Sequence, residues 1–262
     1  MLSYQHGYHA GNPADVHKHA LLALALARMT AKDKPIRYLE THAGRGLYDL
    51  SAAQASRTGE WRAGVGRLLD RVPADHPWRR AVVALRDAHG PSTYPGSPLV
   101  AAHLLRDGDR MDLAELHPAE HAALRAAVAD GPAGPRIRVH MTDGLGLAHG
   151  LIPPTPRRGL MLIDPSWEVK ADYDRLAARV PRWHRAWNVG VLMLWYPILA
   201  DARHVAMLAA LRAALPRALV SEVRFPPARP GHGMVGSGMF VVNPPYGLAE
   251  GAAELTRLFE ED

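Results

Sequence analysis

Residues 160–167, Leu-Met-Leu-Ile-Asp-Pro-Ser-Trp, place an acid, a proline and an aromatic residue directly after an apolar run. The apolar run predicts a buried strand that ends at Asp164, which puts this carboxylate at the carboxyl end of a sheet, where open α/β folds bind ligands. Pro165 stops the strand ladder, and its carbonyl joins Asp164 as a second oxygen acceptor beside the flat ring of Trp167. This arrangement suits a planar base that carries an amino group. The alternative is an ordinary strand-to-loop turn with a buried aromatic residue.

Acids also stand at the predicted ends of three other strands, as Glu40, Glu115 and Asp143. Glu115 can accept hydrogen bonds from both hydroxyls of a ribose. Asp143 can accept from an adenine amino group, and Gly144 avoids crowding the ring. Each acid taken singly is more often a solvated loop residue. Together with Asp164, however, they end four successive strands, which predicts an adenosine-containing cofactor with its reacting group beside Asp164.

The amino terminus concentrates aromatic, histidine and lysine side chains, which are Tyr4, His6, His9, His17, Lys18 and His19. These histidines lack a carboxylate or thiolate at the usual ligand spacing, so we expect no metal site. Stacking on bases and contact with phosphates suit such side chains better. For Lys18 the alternative is a solvated helix face.

Alternating strands and helices must position these residues, and they indicate a largely parallel sheet covered on both faces. Seven strands are predicted, at about 36–40, 111–116, 137–142, 159–164, 189–196, 218–225 and 239–243. The last two follow each other without a helix, so they must pair antiparallel if they are neighbours.

Helices are predicted at about 13–29, 97–106, 118–129, 172–183, 201–215 and 249–259. The first has Asn12 as its N-cap and Pro13 in its first turn, and the second has Ser97 as its cap and Pro98 at its first position. Glycines and prolines break residues 51–93 into short helical pieces. We therefore predict one domain over residues 1–262, with a small helical insertion at about 51–93.

Composition restricts the class of protein. The chain has 262 residues, no cysteine, 31 basic and 26 acidic residues, a net charge of +5 and a pI near 9.7. Disulfides and thiolate metal sites are excluded, and we expect neither export nor a membrane span, hence a cytoplasmic protein. The basic excess mildly favours a polyanionic partner, although biased codon usage would give the same arginine-rich composition.

Seven motifs together resemble one known family. They are Tyr4-Gln5-His6, His9-Ala10-Gly11-Asn12, Asp15-Val16-His17-Lys18-His19, Thr41-His42-Ala43-Gly44, Tyr94-Pro95-Gly96-Ser97-Pro98, Glu115-Leu116-His117-Pro118 and Leu194-Trp195-Tyr196-Pro197. Their order and spacing, over nearly the whole chain, resemble the RlmJ family of 23S ribosomal RNA adenine methyltransferases.

The resemblance implies a class I S-adenosylmethionine-dependent methyltransferase fold, Rossmann-like, with a seven-stranded sheet and a helical insertion. It implies methylation of the exocyclic N6 of one adenine in protein-free 23S RNA, and we expect a monomer. The family's catalytic acid falls on Asp164. Its cofactor-binding residues fall on His19, His42, Ser97, Glu115, Asp143, Gly144 and Asp164. Its substrate-handling residues fall on Tyr4, His6 and Lys18, and the chemistry of the turn adds Pro165 and Trp167 to them.

One departure from the family pattern leaves alternatives open. The family has Asp-Pro-Pro-Tyr where this chain has Asp164-Pro165-Ser166-Trp167. This favours, as one alternative, an RNA-binding protein that no longer catalyses methyl transfer. A second alternative is a methyltransferase for a protein amide or a small molecule, since residues 243–246, Asn-Pro-Pro-Tyr, look like an amino-methyltransferase site. We interpret that copy as structural, because the end of an antiparallel seventh strand points to the opposite rim of the sheet.

Overall fold

The computed structural model describes residues 5–129, 134–229, 231 and 233–260. The strands in these ranges are β1 (Arg37–Glu40), β2 (Leu47–Asp49), β3 (Thr93–Pro95), β4 (Arg110–Ala114), β5 (Arg136–His140), β6 (Gly159–Ile163), β7 (Val191–Leu199), β8 (Leu219–Arg224) and β9 (Met234–Val242). The helices are α1 (Pro13–Thr30), α2 (Ala53–Thr58), α3 (Val65–Leu68), α4 (Pro77–His89), α5 (Ser97–Leu104), α6 (Pro118–Ala129), α7 (Gly144–Leu151), α8 (Ala171–Ala186), α9 (His204–Ala214) and α10 (Leu248–Glu260). None of the described helices is both long and apolar enough to cross a membrane.

Seven strands form one mixed sheet in the order β5-β4-β1-β6-β7-β9-β8. The first five are parallel, and β9 lies antiparallel between β7 and β8. From β1 the chain adds β4 and β5 on one side of the sheet, and it then returns to add β6 and β7 on the other side of β1. Open α/β sheets bind ligands where the strand order reverses in this way, here at the carboxyl ends of β1 and β6. The predicted fold class and the antiparallel pairing of the last two strands are confirmed.

Three local predictions were wrong. Helix α7 was missed, although a connection between the parallel strands β5 and β6 requires a crossover; its sequence, Gly-Leu-Gly-Leu-Ala-His-Gly-Leu, holds three glycines that weaken the helical signal. The short antiparallel pair of β2 and β3 was also missed. The N-cap of α5 is Gly96, because the Ser97 hydroxyl is instead hydrogen-bonded to Glu40.

Apolar side chains form two clusters, one on each face of the sheet. Strand β6 shows the division most clearly, since Leu160 and Leu162 belong to one cluster, and Met161 and Ile163 to the other. All five residues of β6 are buried, as expected for a central parallel strand covered on both faces. This burial fixes the position at which Asp164 leaves the sheet.

Helix α1 lies across the first of these faces and is buried along most of its length. His17, at its centre, is fully buried, and its two ring nitrogens are hydrogen-bonded to the hydroxyls of Ser237 (2.9 Å) and Ser221 (3.0 Å). Burial lowers the pKa of His17 to about 3, so the ring is neutral. His17 therefore joins α1 to β8 and β9 without a charge.

We expect His17→Gln to flatten the acid dependence of stability. Between pH 6.5 and about pH 3 the unfolded chain protonates this histidine and the folded chain does not, so the free energy of unfolding falls by up to about 1.4 kcal/mol for each unit of pH lowered. Urea unfolding at a series of pH values measures this slope. The slope reports how many more protons the unfolded chain binds than the folded chain, and this number should be lower by about one in the variant. His149→Gln, at an exposed histidine, is the matched control. An unchanged slope in His17→Gln would show that His17 is protonated in the folded protein.

Candidate active site

The carboxyl ends of four parallel strands carry the acids that were predicted to lie there. Glu40 is the last residue of β1, Glu115 directly follows β4, Asp143 lies three residues beyond β5, and Asp164 directly follows β6. Because β5, β4, β1 and β6 are consecutive neighbours and all parallel, these residues lie along one edge of the sheet. Asp164 and Glu40 flank the point at which the strand order reverses.

Asp164 is joined to α1 by a buried lysine. Lys18 Nζ lies 2.6 Å from Asp164 Oδ2 and 3.0 Å from Asp15 Oδ1, and the Lys18 side chain is only 5% exposed. Asp15 Oδ2 in turn accepts a hydrogen bond from the Gly11 N–H (2.9 Å) and lies 2.8 Å from His6 Nε2. Of the predicted substrate-binding residues, Lys18 thus contacts the predicted catalytic acid directly, and His6 is connected to it through Asp15 and Lys18.

The charges within this group stabilise one another. Burial alone would lower the pKa of Lys18, but the carboxylates of Asp164 and Asp15 outweigh it and raise that pKa above its usual value. Burial would likewise raise the pKa of Asp15, but nearby His6 and Lys18 hold it well below its usual range. The ammonium group also lies 5.4 Å from the centre of the Trp195 ring, within the range of a cation–π contact.

Asp15 is a site residue that was not predicted to have a role. It lies three residues before Lys18 and four before His19 on α1, a spacing that puts all three on one helix face. That spacing was a usable signal. The sequence could not show that this face turns inward.

His19 is buried beneath the site. Its Nδ1 lies 2.9 Å from the Tyr94 hydroxyl, its Nε2 lies 3.9 Å from Asp15 Oδ1, and its ring stacks on that of Tyr94. Burial lowers the pKa of His19 to about 3, so the imidazole is neutral. His19 is 1% exposed, and it supports the position of Asp15.

Glu40 and Ser97 form a second buried pair. The hydroxyls of Ser97 and Tyr38 both donate to the Glu40 carboxylate, Tyr38 at 2.8 Å. Burial raises the pKa of Glu40 to about 8, against the opposing effect of the two hydroxyl donors. Ser97 therefore attaches the start of α5 to the end of β1.

The turn at residues 41–46 is held by two acids. The carboxylate of Glu115 accepts from the backbone N–H of Gly44 (2.9 Å) and of His117 (2.7 Å). Arg45 makes two hydrogen bonds to the carboxylate of Glu120 at the start of α6. His42 lies half-buried on this turn, with its Nδ1 2.8 Å from the Thr41 hydroxyl. Because carboxylate oxygens have further lone pairs, the partly exposed Glu115 can still accept from a ligand.

Asp143 and Gly144 begin α7. Asp143 is the N-cap, and its carboxylate accepts from the N–H groups of Leu145 (3.3 Å) and Gly146 (2.9 Å). A Cβ on Gly144 would lie 1.7 Å from the Thr41 carbonyl oxygen. The absence of a side chain at Gly144 thus lets α7 pack on the end of β1, a packing requirement that differs from the predicted clearance for a cofactor ring.

The turn after β6 differs from its expected form at Trp167. The side chain is 6% exposed, and its ring centroid lies 4.5 Å from that of Tyr173 on α8. Its Nε1–H and the Tyr173 hydroxyl are buried without hydrogen-bond partners among the described residues. Pro165 is buried, and its carbonyl accepts no hydrogen bond from the described part of the chain. The Pro165 carbonyl thus has no partner among the described residues, and the indole packs into the core.

We expect Trp167→Ala to lower the free energy of unfolding by about 3–5 kcal/mol, because removing a buried indole leaves a cavity against Tyr173. Urea denaturation at neutral pH measures the loss, and Trp167→Phe, which keeps an aromatic ring, is the matched variant and should lose less. A loss below about 1 kcal/mol in Trp167→Ala would show that the indole contributes little to the core.

The remaining sequence candidates have the following positions. Asn243, after β9, lies on the opposite rim, where its side-chain amide donates to the carbonyls of Asn188 and Gly190 just before β7. The interpretation of residues 243–246 as structural is therefore supported.

Tyr4, a predicted substrate-binding residue, lies outside the described residues. In the described ranges no group of three or more His, Cys, Asp or Glu side chains is arranged to hold a metal ion.

Comparison with known proteins agrees over nearly the whole chain. A family model described as "Ribosomal RNA large subunit methyltransferase D, RlmJ" matches residues 33–261. The chain is 39% identical over 254 residues to ribosomal RNA large subunit methyltransferase J of Escherichia coli, covering 95% of this chain and 90% of that protein. It is 37% identical over 253 residues to the protein of the same name from Haemophilus influenzae, covering 95% and 89%.

A solved structure, that of protein LPL1258 from Legionella pneumophila, matches with a TM-score of 0.85 at 33% identity, covering 96% of this chain and 92% of that one. The family model and the two named relatives therefore agree on one family over residues 33–261. The family predicted from the motifs is confirmed, and the chain belongs to the RlmJ family of ribosomal RNA large subunit methyltransferases.

Proposed function

We propose that this protein transfers a methyl group from S-adenosylmethionine to the exocyclic N6 of one adenine in protein-free 23S ribosomal RNA. The observation that carries the proposal is the position of Asp164, which follows β6 at the reversal of strand order and has one oxygen held by Lys18. The relatives are named as ribosomal RNA large subunit methyltransferases, which supports the same substrate class. Action as a monomer in the cytoplasm is part of the proposal.

The residues on the rim fit an adenosine-containing cofactor. Glu115 and Asp143 are partly or fully exposed carboxylates that can accept from ribose hydroxyls and from an adenine amino group. Two exposed apolar side chains, Leu116 (46%) and Met141 (59%), stand beside these acids and can cover the faces of a purine ring. Gly44, with φ of 61°, lets the backbone of the 41–46 turn approach a ligand closely.

His42, Ser97 and Gly144 contribute to this cofactor site chiefly by shaping it, and His19 supports it from below. Ser97 sets the position of Glu40, and Gly144 sets that of Asp143 by letting α7 pack closely. When bound, S-adenosylmethionine supplies an electrophilic methyl group on a sulfonium sulfur.

The protein's own part in catalysis is to prepare the amino group of adenine. Asp164 and the Pro165 carbonyl accept its two hydrogens, which draws the nitrogen out of conjugation with the ring and exposes its lone pair for attack. Lys18 holds Oδ2 of Asp164 and so fixes which oxygen remains available. The surplus proton passes to Asp164 or to water.

Binding of the target adenine also involves Trp167, His6 and Tyr4. Stacking of Trp167 on the base, worth about 1–3 kcal/mol, requires the indole to leave Tyr173. Two features favour such a movement: Trp167 has a φ of 59°, a strained value for a bulky side chain, and its Nε1–H has no hydrogen-bond partner among the described residues.

Incubation of the purified protein with methyl-labelled S-adenosylmethionine and protein-free 23S RNA tests the proposal. Mass spectrometry of the digested RNA should find N6-methyladenosine at one position, and an assembled large subunit should be a poorer substrate. RNA binding without any methylated product would favour a non-catalytic binding protein. Equal labelling with and without RNA would favour an amide or small-molecule methyltransferase.

A further inference from the structure

The edge strand β5 has one apolar and one basic face. Ile137 and Val139 pack against the core cluster that includes Leu124 of α6. Arg136, Arg138 and His140 alternate with them and point to the other face of the sheet, because successive side chains of a strand project to opposite sides. Helix α7 packs on β1 and β4, and on this second face of β5 Arg136 and Arg138 are exposed among the described residues.

Neighbouring strands extend this basic face into a concave surface. In the sheet register Arg110 lies between Arg37 and Arg136, and Asp112 lies beside Arg138. A cavity of about 100 Å³ opens at this point. It is lined by Arg37, Arg110, Met111, Asp112, Arg136 and Arg138.

Three of these arginines have no internal partner among the described residues. The one acid, Asp112, is bound by Arg37 on one carboxylate oxygen and lies 2.9 Å from His140 Nε2 on the other. The guanidinium groups of Arg110, Arg136 and Arg138 make no hydrogen bond or ion pair with any residue that the structure describes, and all three residues are exposed. Within the described ranges the cavity thus presents three positive charges without an ion-pair partner.

Protection of the sheet edge does not explain this cluster. Charged side chains on an edge strand discourage pairing with another chain, which would account for Arg136 and Arg138. Arg110, however, lies on β4, an internal strand whose edges are both paired. A group of guanidiniums around a concave surface is the arrangement that binds phosphate oxygens, because each guanidinium offers several N–H donors in a fixed plane.

We propose that Arg110, Arg136 and Arg138, the β4–β5 arginine cluster, bind phosphodiester groups of the ribosomal RNA substrate at a distance from the target adenine. This inference rests on the proposed function for the identity of the RNA. Along β5 the basic side chains follow one another toward the rim that holds Asp143, in the order Arg136, Arg138 and His140. The distance from the first to the last is roughly 13 Å, because a strand advances about 3.3 Å per residue. An RNA that places its adenine at Asp164 therefore has a continuous path around the edge of the sheet to the cluster.

The test compares RNA binding by three variants with equal numbers of substitutions. Arg110→Gln/Arg136→Gln/Arg138→Gln removes the cluster, and the corresponding triple lysine variant keeps its charge. Arg212→Gln/Arg217→Gln/Arg224→Gln removes three exposed arginines of α9, β8 and the turn between them, at the other edge of the sheet. Affinity for a 23S RNA fragment that contains the target is measured from 50 to 300 mM KCl, together with kcat and KM for methylation. Inorganic phosphate is titrated separately against the unmodified protein.

Loss of the cluster should weaken RNA binding about tenfold or more at moderate salt and lower the slope of log affinity against log salt by about 2 to 3, since each phosphate contact contributes about 0.7–0.9. KM should rise while kcat at saturating RNA is unchanged, the lysine variant should recover most of the affinity, and the control triple variant should bind normally.

Unchanged RNA affinity and salt slope in the glutamine variant would overturn the inference. They would do so even if inorganic phosphate binds the unmodified protein at this cavity. Equal losses in the control variant would also overturn it, because they would indicate a general effect of net charge. The proposed function has its own test, because it is wrong if the unmodified protein does not methylate the RNA. In that case a loss of RNA binding in the glutamine variant alone would still support the contact between the arginine cluster and RNA.

Discussion

The Asp164→Ala variant should fold normally and methylate ribosomal RNA at least about 100-fold more slowly than the unmodified protein. Asp164 is the acceptor at the reversal of strand order, and removing one preorganised polar group of this kind usually costs about 10²–10³ in rate. The fold should tolerate the change because the side chain is partly exposed, at 14%, and Lys18 keeps its contact with Asp15. The rate is measured by incorporation of labelled methyl groups at saturating RNA and cofactor.

The matched control for this variant is Asp174→Ala. Asp174 is an exposed carboxylate in the first turn of α8, ten residues beyond Asp164, so its loss removes the same charge without touching the rim. Circular dichroism and urea denaturation should show both variants folded. Near-normal turnover by a folded Asp164→Ala protein would remove Asp164 from the centre of the site, and an equal loss in Asp174→Ala would trace the effect to net charge.

The sequence was sufficient to predict the position of Asp164, because the signal there is local. A run of apolar residues before an acid and a proline identifies a central strand and its carboxyl end from a few neighbouring residues. The same reasoning placed Glu115 and Asp143 next to the ends of β4 and β5. Alternating strands and helices then ordered these ends along one rim, since a parallel sheet aligns the carboxyl ends of its strands.

Contacts between distant parts of the chain could not be predicted in this way. Lys18 and Asp164 are 146 positions apart, and no local pattern shows that the inward face of α1 ends against the turn after β6. Trp167 shows a related limit: an aromatic residue after Asp-Pro-Ser fits either a stacking surface or the core, and no local pattern shows its contact with Tyr173 on α8.

Lys18→Met should strongly destabilise the protein, to about the same extent as Trp167→Ala. It leaves the carboxylates of Asp15 and Asp164 buried or partly buried and facing each other without the cation between them. Removing one partner of a buried ion pair typically costs about 3–5 kcal/mol, because the remaining charge stays desolvated and uncompensated. Lys18→Arg keeps the charge and should lose less, and Lys34→Met, at an exposed lysine, controls for the loss of an ammonium group.

The pH dependence separates this electrostatic cost from a loss of packing. The lowered pKa of Asp15 contributes stability that is present above its unfolded value near 3.8 and is lost as the pH falls through the lower folded value. The raised pKa of Lys18 contributes stability that is present below 10.5 and is lost as the pH rises through the higher folded value. The difference in unfolding free energy between the unmodified protein and Lys18→Met should therefore be constant from about pH 5 to pH 10 and shrink below about pH 4.

Activity should report the same ion pair through its geometry. Lys18 is the described residue that holds Asp164 Oδ2, so without it the carboxylate loses its fixed orientation beside the turn. Methylation by Lys18→Met, measured as incorporation of labelled methyl groups, should therefore be slower than that of the unmodified protein, and Lys18→Arg should recover part of the rate. A stability difference that persists unchanged to pH 3, together with an unchanged methylation rate in Lys18→Met, would show that Lys18 acts through packing and does not position Asp164.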